Sequence, residues 1–124
     1  MGSKLKLALT LALFVAPLTP DAEAAEARVR YSPVQYLKNF ALSACVAEGF
    51  KSDDVVKDSK AAAGGYLELG RFPMAAHEEA AALGKKFLAK DYESRSGEKL
   101  TLMKCIDLFH SRELDRLARK YNRK

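Results

Sequence analysis

Four side chains in this sequence are of types that could support nucleophilic or metal chemistry: Cys45, Cys105, His77 and His110. Cys105 and His110 are five residues apart. On a helix that spacing turns the two side chains about 140 degrees away from each other. Cys105 also falls on an apolar stripe, where a thiolate is disfavoured, so a thiol–imidazole pair is not expected. His77-Glu78-Glu79-Ala80-Ala81 opens like a zinc-protease motif, but Ala81 stands where the second histidine belongs, and the metal set fails. There is no Cys-x-x-Cys, and no glycine-rich phosphate loop follows a strand. The sequence therefore predicts no catalytic residues, no metal and no cofactor, and it points to a protein that is not an enzyme.

The cysteines take their meaning from the compartment. Lys4 and Lys6 precede an almost wholly apolar run from Leu7 to Leu18, Pro20 breaks it, and small residues follow at Ala22, Ala24, Ala25 and Ala27. This is the grammar of a cleaved secretory signal peptide. The run is short of the roughly 20 apolar residues that a spanning helix needs. The expected division is a signal peptide at 1–24 and a mature helical domain at 25–124, periplasmic and free of the membrane once cleaved. Cleavage removes two positive and two negative charges (Lys4, Lys6, Asp21, Glu23), so the mature chain keeps the formal +5 of the whole. In an oxidising compartment Cys45 and Cys105 read as a structural disulfide; two free buried thiols are the alternative.

The elements that must position these residues are helical. Ser32-Pro33 suits a helix start, with serine as cap and proline in the first turn. Val34, Leu37, Ala41, Ala44 and Cys45 then recur at three- and four-residue steps, and Gly49 suits the stop. A second helix lies within Asp53 to Leu69, capped by Ser52 or Asp58. It carries Gly64-Gly65, unfavourable by roughly 2 kcal/mol against two alanines. That pair reads either as a close helix crossing, at a subunit interface for example, or as a break between two shorter helices. A third helix follows Pro73, with Ala76, Ala80, Leu83 and Phe87 on one stripe and His77 as a polar residue of an early turn. Asp91 to Lys99 has no helical stripe and reads as an exposed loop. A fourth helix starts near Leu100, with Leu102, Cys105, Ile106 and Phe109 on its inner face. Leu114 comes one residue late for that stripe, so the helix either bends or a new one begins at Ser111. The expected fold is all-α, a compact bundle of four to five helices stapled by one disulfide between the first and the fourth. Arginines and lysines crowd the last segment, from Arg112 to Lys124. They read as a solvated face, with an acidic protein or an anionic envelope surface as sharper readings; nucleic acid is not expected as a partner.

Lys104-Cys105-Ile106-Asp107-Leu108-Phe109-His110-Ser111-Arg112-Glu113-Leu114-Asp115 closely resembles the hallmark stretch of the type VI secretion amidase immunity proteins. Tyr36 to Cys45 resembles the first helix of that family, and Phe87-Leu88-Ala89-Lys90-Asp91-Tyr92 resembles its segment before the loop. With gaps, the likeness runs from about Tyr36 to Tyr121. It implies a periplasmic helical homodimer that binds a cognate cysteine-type peptidoglycan amidase effector. It further implies that the effector's cleft is blocked by a protruding loop from one subunit and a helix from the other. Carried over to this chain, the partner-binding element is Tyr92, Glu93, Ser94, Arg95, Ser96 and Gly97, with Ser94 to Gly97 as the inserted part; a plain connector is the alternative. A small disulfide-stapled periplasmic chaperone or stress protein is the competing reading of the whole chain.

Overall fold

The computed structural model describes residues 2, 10–16 and 28–123. Most of the expected signal peptide and its cleavage site lie outside those residues. Contacts divide the chain into Met1–Arg30 and Tyr31–Lys124. The second unit consists of five helices, α1 (Pro33–Gly49), α2 (Asp53–Leu69), α3 (Met74–Leu88), α4 (Thr101–Phe109) and α5 (Arg112–Tyr121). The all-α expectation holds, at the higher of the two helix counts.

Three of the five starts have a local cause. Ser32 Oγ accepts from the Gln35 amide at 3.2 Å, and the Ser32 amide donates to Gln35 Oε1 at 2.9 Å. This reciprocal capping box satisfies two amides otherwise left without partners. Of the two candidate caps for α2, Ser52 takes the position, and Asp53 and Asp54 face the positive end of the dipole. Ser111 settles the question of a bend. Its hydroxyl donates to the Leu108 carbonyl at 2.7 Å and accepts from the Leu114 amide at 3.1 Å, so one side chain ends α4 and begins α5.

Helix α1 is the hub: it packs against all four others, whereas α2 packs chiefly on α1. The core is built from Leu37, Phe40 and Ala41 of α1, Ala76, Ala80 and Phe87 of α3, Leu108 of α4, and Leu114 and Ala118 of α5. Cys45 and Cys105 sit at its centre, bonded to each other with Cα atoms 5.6 Å apart. Gly84 allows α3 to lie against this bridge: a Cβ there would stand 3.6 Å from that of Cys45. At the periphery Lys38 Nζ pairs with Asp115 at 2.9 Å. Glu79 accepts from the Tyr121 hydroxyl at 2.8 Å and from Lys120 Nζ at 3.1 Å. These two bonds, Tyr121 foremost, hold the Glu79 carboxyl below its ordinary range. This tie between α3 and α5 is therefore present above the usual carboxylate range and fades as pH falls through the lowered value.

Gly49 ends α1 as expected, and Phe50 follows in extended geometry. The role of Gly49 is packing: a Cβ would overlap the Thr101 methyl and stand 2.7 Å from Leu88 Cδ2. His77 lies in the first turn of α3, as expected, and is buried there. It is 3% exposed, edge-on to Phe40 with ring centroids 4.8 Å apart, and its Nδ1 lies 3.1 Å from the Pro73 carbonyl. With Nδ1 as the donor, buried Nε2 is an acceptor without a partner. Finally, Gly64-Gly65 neither breaks α2 nor sits at a crossing within the chain. The helix runs straight through, and an added Cβ at either position meets nothing within 4 Å. Gly64→Ala with Gly65→Ala should therefore stabilise the chain by about 2 kcal/mol, raising Tm by on the order of 10 °C. Thermal unfolding followed by circular dichroism reads this directly; an unchanged or lowered Tm would show that the pair serves a contact this chain does not make with itself.

Candidate functional site

Helix α3 ends at Leu88 and α4 begins at Thr101, which leaves a connection tied down at several points. At its base the ammonium of Lys104 donates to the Leu88 carbonyl at 3.3 Å. On its rising limb the Tyr92 hydroxyl donates to Asp107 Oδ2 at 2.6 Å, fastening the loop to the flank of α4. Near the tip the Ser94 and Ser96 hydroxyls are 2.9 Å apart, and the Gly97 amide donates to the Ser94 carbonyl at 3.4 Å. This closes a turn with Arg95 and Ser96 as its central pair. Gly97 follows at φ +79°, a left-handed conformation that glycine adopts without Cβ strain. Glu93, Arg95, Ser96 and Gly97 are exposed, Tyr92 and Ser94 half-buried. The six residues expected from the sequence to bind the partner thus form one continuous loop segment, with exposed Arg95 between two serines.

The Asp107 carboxylate accepting from Tyr92 pushes that phenol above its ordinary value. A raised phenol pKa means that the tie is complete below about pH 10, the unperturbed value, and is lost as pH rises through the folded-state value. Tyr92→Phe removes the tie while keeping the ring. We expect faster amide hydrogen exchange across residues 92–98, by about five- to tenfold, the equivalent of one net hydrogen bond, with Tm little changed. Unaltered exchange would mean that the serine turn alone holds the loop.

Helix α4, which follows the loop, does not face as its sequence suggests. Lys104, Cys105 and Leu108 are buried, whereas Leu102, Met103 and Ile106 are 52%, 51% and 43% exposed. Cys105 marks the edge of the buried arc, because the disulfide fixes which way it points. The residues on one side of it go inward and those on the other stay out. Periodicity alone assigns Leu102 and Ile106 to the core and so misses this apolar face. The available signal is an apolar stripe on α4 wider than one buried face requires. As for chemistry, both thiols are consumed in the bridge, His110 is exposed at the end of α4, and no cluster of three or more potential metal ligands occurs among the described residues.

Residues 35–118, from the first turn of α1 into α5, match the family described as Tai4, type VI secretion system (T6SS), amidase immunity protein. The chain belongs to this family. Among solved structures it is similar to a chain of the effector–immunity system Tae4/Tai4 from Salmonella typhimurium. Identity there is 37% and the TM-score 0.71, over 76% of this chain and 93% of that one. A structure described as new type VI-secreted toxins and self-resistance proteins in Serratia marcescens matches with 29% identity and TM-score 0.67, over 86% and 85%. A chain of the Tae4–Tai4 complex from Enterobacter cloacae shares the fold at 20% identity and TM-score 0.65, over 71% and 90%. No curated protein sequence matches. Membership of the Tai4 family assigns this chain an amidase-immunity role, and immunity proteins of this kind are not enzymes.

Proposed function

We propose that the chain protects its cell by binding a type VI amidase effector and filling the effector's active-site cleft with the loop segment Tyr92–Gly97. The observation that carries this reading is the bracing of the loop on a Tai4 fold. A tip held by the Ser94–Ser96 pair, the Ser94–Gly97 turn and the Tyr92–Asp107 bond is ordered before it meets its target, so binding loses little to ordering. Arg95 at the tip offers several donors in a fixed fork. Leu102, Met103 and Ile106 on the next helix supply apolar anchors of the kind that concentrate binding energy. A cysteine-type amidase that cuts peptidoglycan stem peptides needs an open cleft and a free thiolate, so occlusion silences it without any reaction. The antidote then belongs where the wall is cut: in the periplasm, reached through a cleaved signal peptide at 1–24. It works there as a homodimer in which one subunit gives the loop and the other a helix.

The test is direct. The mature chain is added to its cognate amidase, and release of peptidoglycan fragments is followed. A stoichiometric excess should abolish turnover, and full activity in that excess would refute the reading. Light scattering on the free chain at micromolar concentration checks the dimer, and a monomer there would remove the two-subunit form of the proposal.

A further inference from the structure

Lys104 is the one lysine or arginine buried among the described residues. It lines two open hollows beside the α3–α4 connection, one of about 400 Å³ walled in part by Leu88 and Thr101, the other of about 460 Å³ walled in part by Tyr92 and Gly97. Its ammonium donates to the Leu88 carbonyl at 3.3 Å and stands 5.6 Å from the centroid of the Tyr92 ring, within reach of a cation–π attraction. That ring carries the hydroxyl that donates to Asp107 Oδ2 at 2.6 Å. Lys104 and Asp107 are three residues apart on α4, a spacing that puts them on one flank. Tyr92 is therefore held twice by the same helix, at its hydroxyl and at its ring. From Asp91 to Lys99 it is the one residue, among those described, whose side chain hydrogen-bonds to a helix. None of the acids Asp91, Glu93 and Glu98 that line the second hollow forms an ion pair with Lys104. A buried cation without an anion does not favour stability. Capping α3 does not call for it either, because Lys85 and Lys86 already answer the negative end of that helix.

We propose that Lys104 is a positioning residue for the partner-binding loop: its ammonium holds the Tyr92 ring at the end of α3 and so fixes where Ser94 to Gly97 stand. Its role in immunity rests on the reading of that loop as the element that enters the effector's cleft. Held at the hydroxyl alone, Tyr92 can pivot about its bond to Asp107, and a pivot there swings a tip only a few residues further on. A second hold at the ring removes that freedom. An ammonium suits the task because it has three donors and no acceptor, so it serves a carbonyl and an aromatic ring together. The charge at this buried position is kept for what it holds.

The experiment is a double-mutant cycle on the mature chain: Lys104→Met, which keeps most of the stem and removes the charge, Tyr92→Leu, and the two together. Lys104→Met should speed amide hydrogen exchange across residues 92–98 about fivefold, the worth of one cation–π contact, and weaken inhibition of the cognate amidase by a similar factor. In the Tyr92→Leu background the same change should add less than about twofold to either, because the ring it acts through is gone. Lys104→Arg, which keeps a cation beside the ring, should stay within about twofold of the natural chain in both. Should the methionine variant not fold, Lys104→Gln replaces it: the amide still offers a donor to the Leu88 carbonyl but no charge to the ring, so the same loosening is expected. A lysine that served only as a cap for α3 would act alike with and without the Tyr92 ring. Equal effects in the two backgrounds, or unchanged exchange across 92–98 in the charge-free variants, would overturn the proposal. The exchange is read without the amidase. A loop that loosens as expected, in a chain that never inhibits its amidase, would refute the amidase reading and leave the positioning role standing. Unchanged exchange beside intact inhibition would do the reverse.

Discussion

Replacing Cys45 and Cys105 together by alanine should lower the stability of the chain by about 4 kcal/mol. The bridge joins residues separated by 60 positions, and closing a loop of that length removes conformational freedom chiefly from the unfolded chain. Folded contacts change little, because both side chains are small, buried and apolar in character. Against the roughly 5–15 kcal/mol that holds a typical domain together, the loss is a large share of the total. Urea unfolding of the double variant beside the natural chain, with and without reductant, measures it. The natural chain in reductant should fall to about the midpoint of the variant. A midpoint that moves in neither comparison would mean that packing around α1 holds the bundle by itself.

Replacing Ser94-Arg95-Ser96-Gly97 by four glycines should weaken inhibition of the cognate amidase by on the order of 100-fold or more. Two effects add. The hydroxyls and guanidinium that would contact the cleft disappear, and the turn they close must be ordered on binding instead of beforehand. A 100-fold change corresponds to about 2.8 kcal/mol, within reach of a few tip contacts. Stability should move by only about 0.5 kcal/mol, as usual for a largely exposed loop tip away from the core. The inhibition constant and Tm are therefore read on the same sample. Unchanged inhibition with an unchanged Tm would remove the inserted loop from the mechanism while leaving the immunity role intact.

Features with short-range causes are legible in the sequence. Ser32-Pro33 marks the start of α1 because capping needs only neighbouring atoms, and Ser111 marks α5 for the same reason. The loop from Asp91 to Lys99 stands out because it lacks any helical stripe. The bridge follows from two cysteines on inward faces. Features that depend on three-dimensional neighbours escape. His77 looks polar in isolation, yet Phe40 and the Pro73 carbonyl enclose it. The facing of α4 is easily misjudged because Leu102 and Ile106 are as apolar as Leu108, and only the direction of the disulfide separates them. Lys104 gives no sign in sequence of being buried. Its long stem reaches back to Leu88 only because α3 and α4 meet there. The Tyr92–Asp107 bond spans 15 residues, and no local pattern announces it.

The covalent ring closed by Cys45 and Cys105 contains the exposed tip at Arg95. A trypsin-like protease cutting after Arg95 would sever the backbone yet leave both pieces attached through sulfur. The nicked molecule would run as one band on a gel without reductant and as two with it.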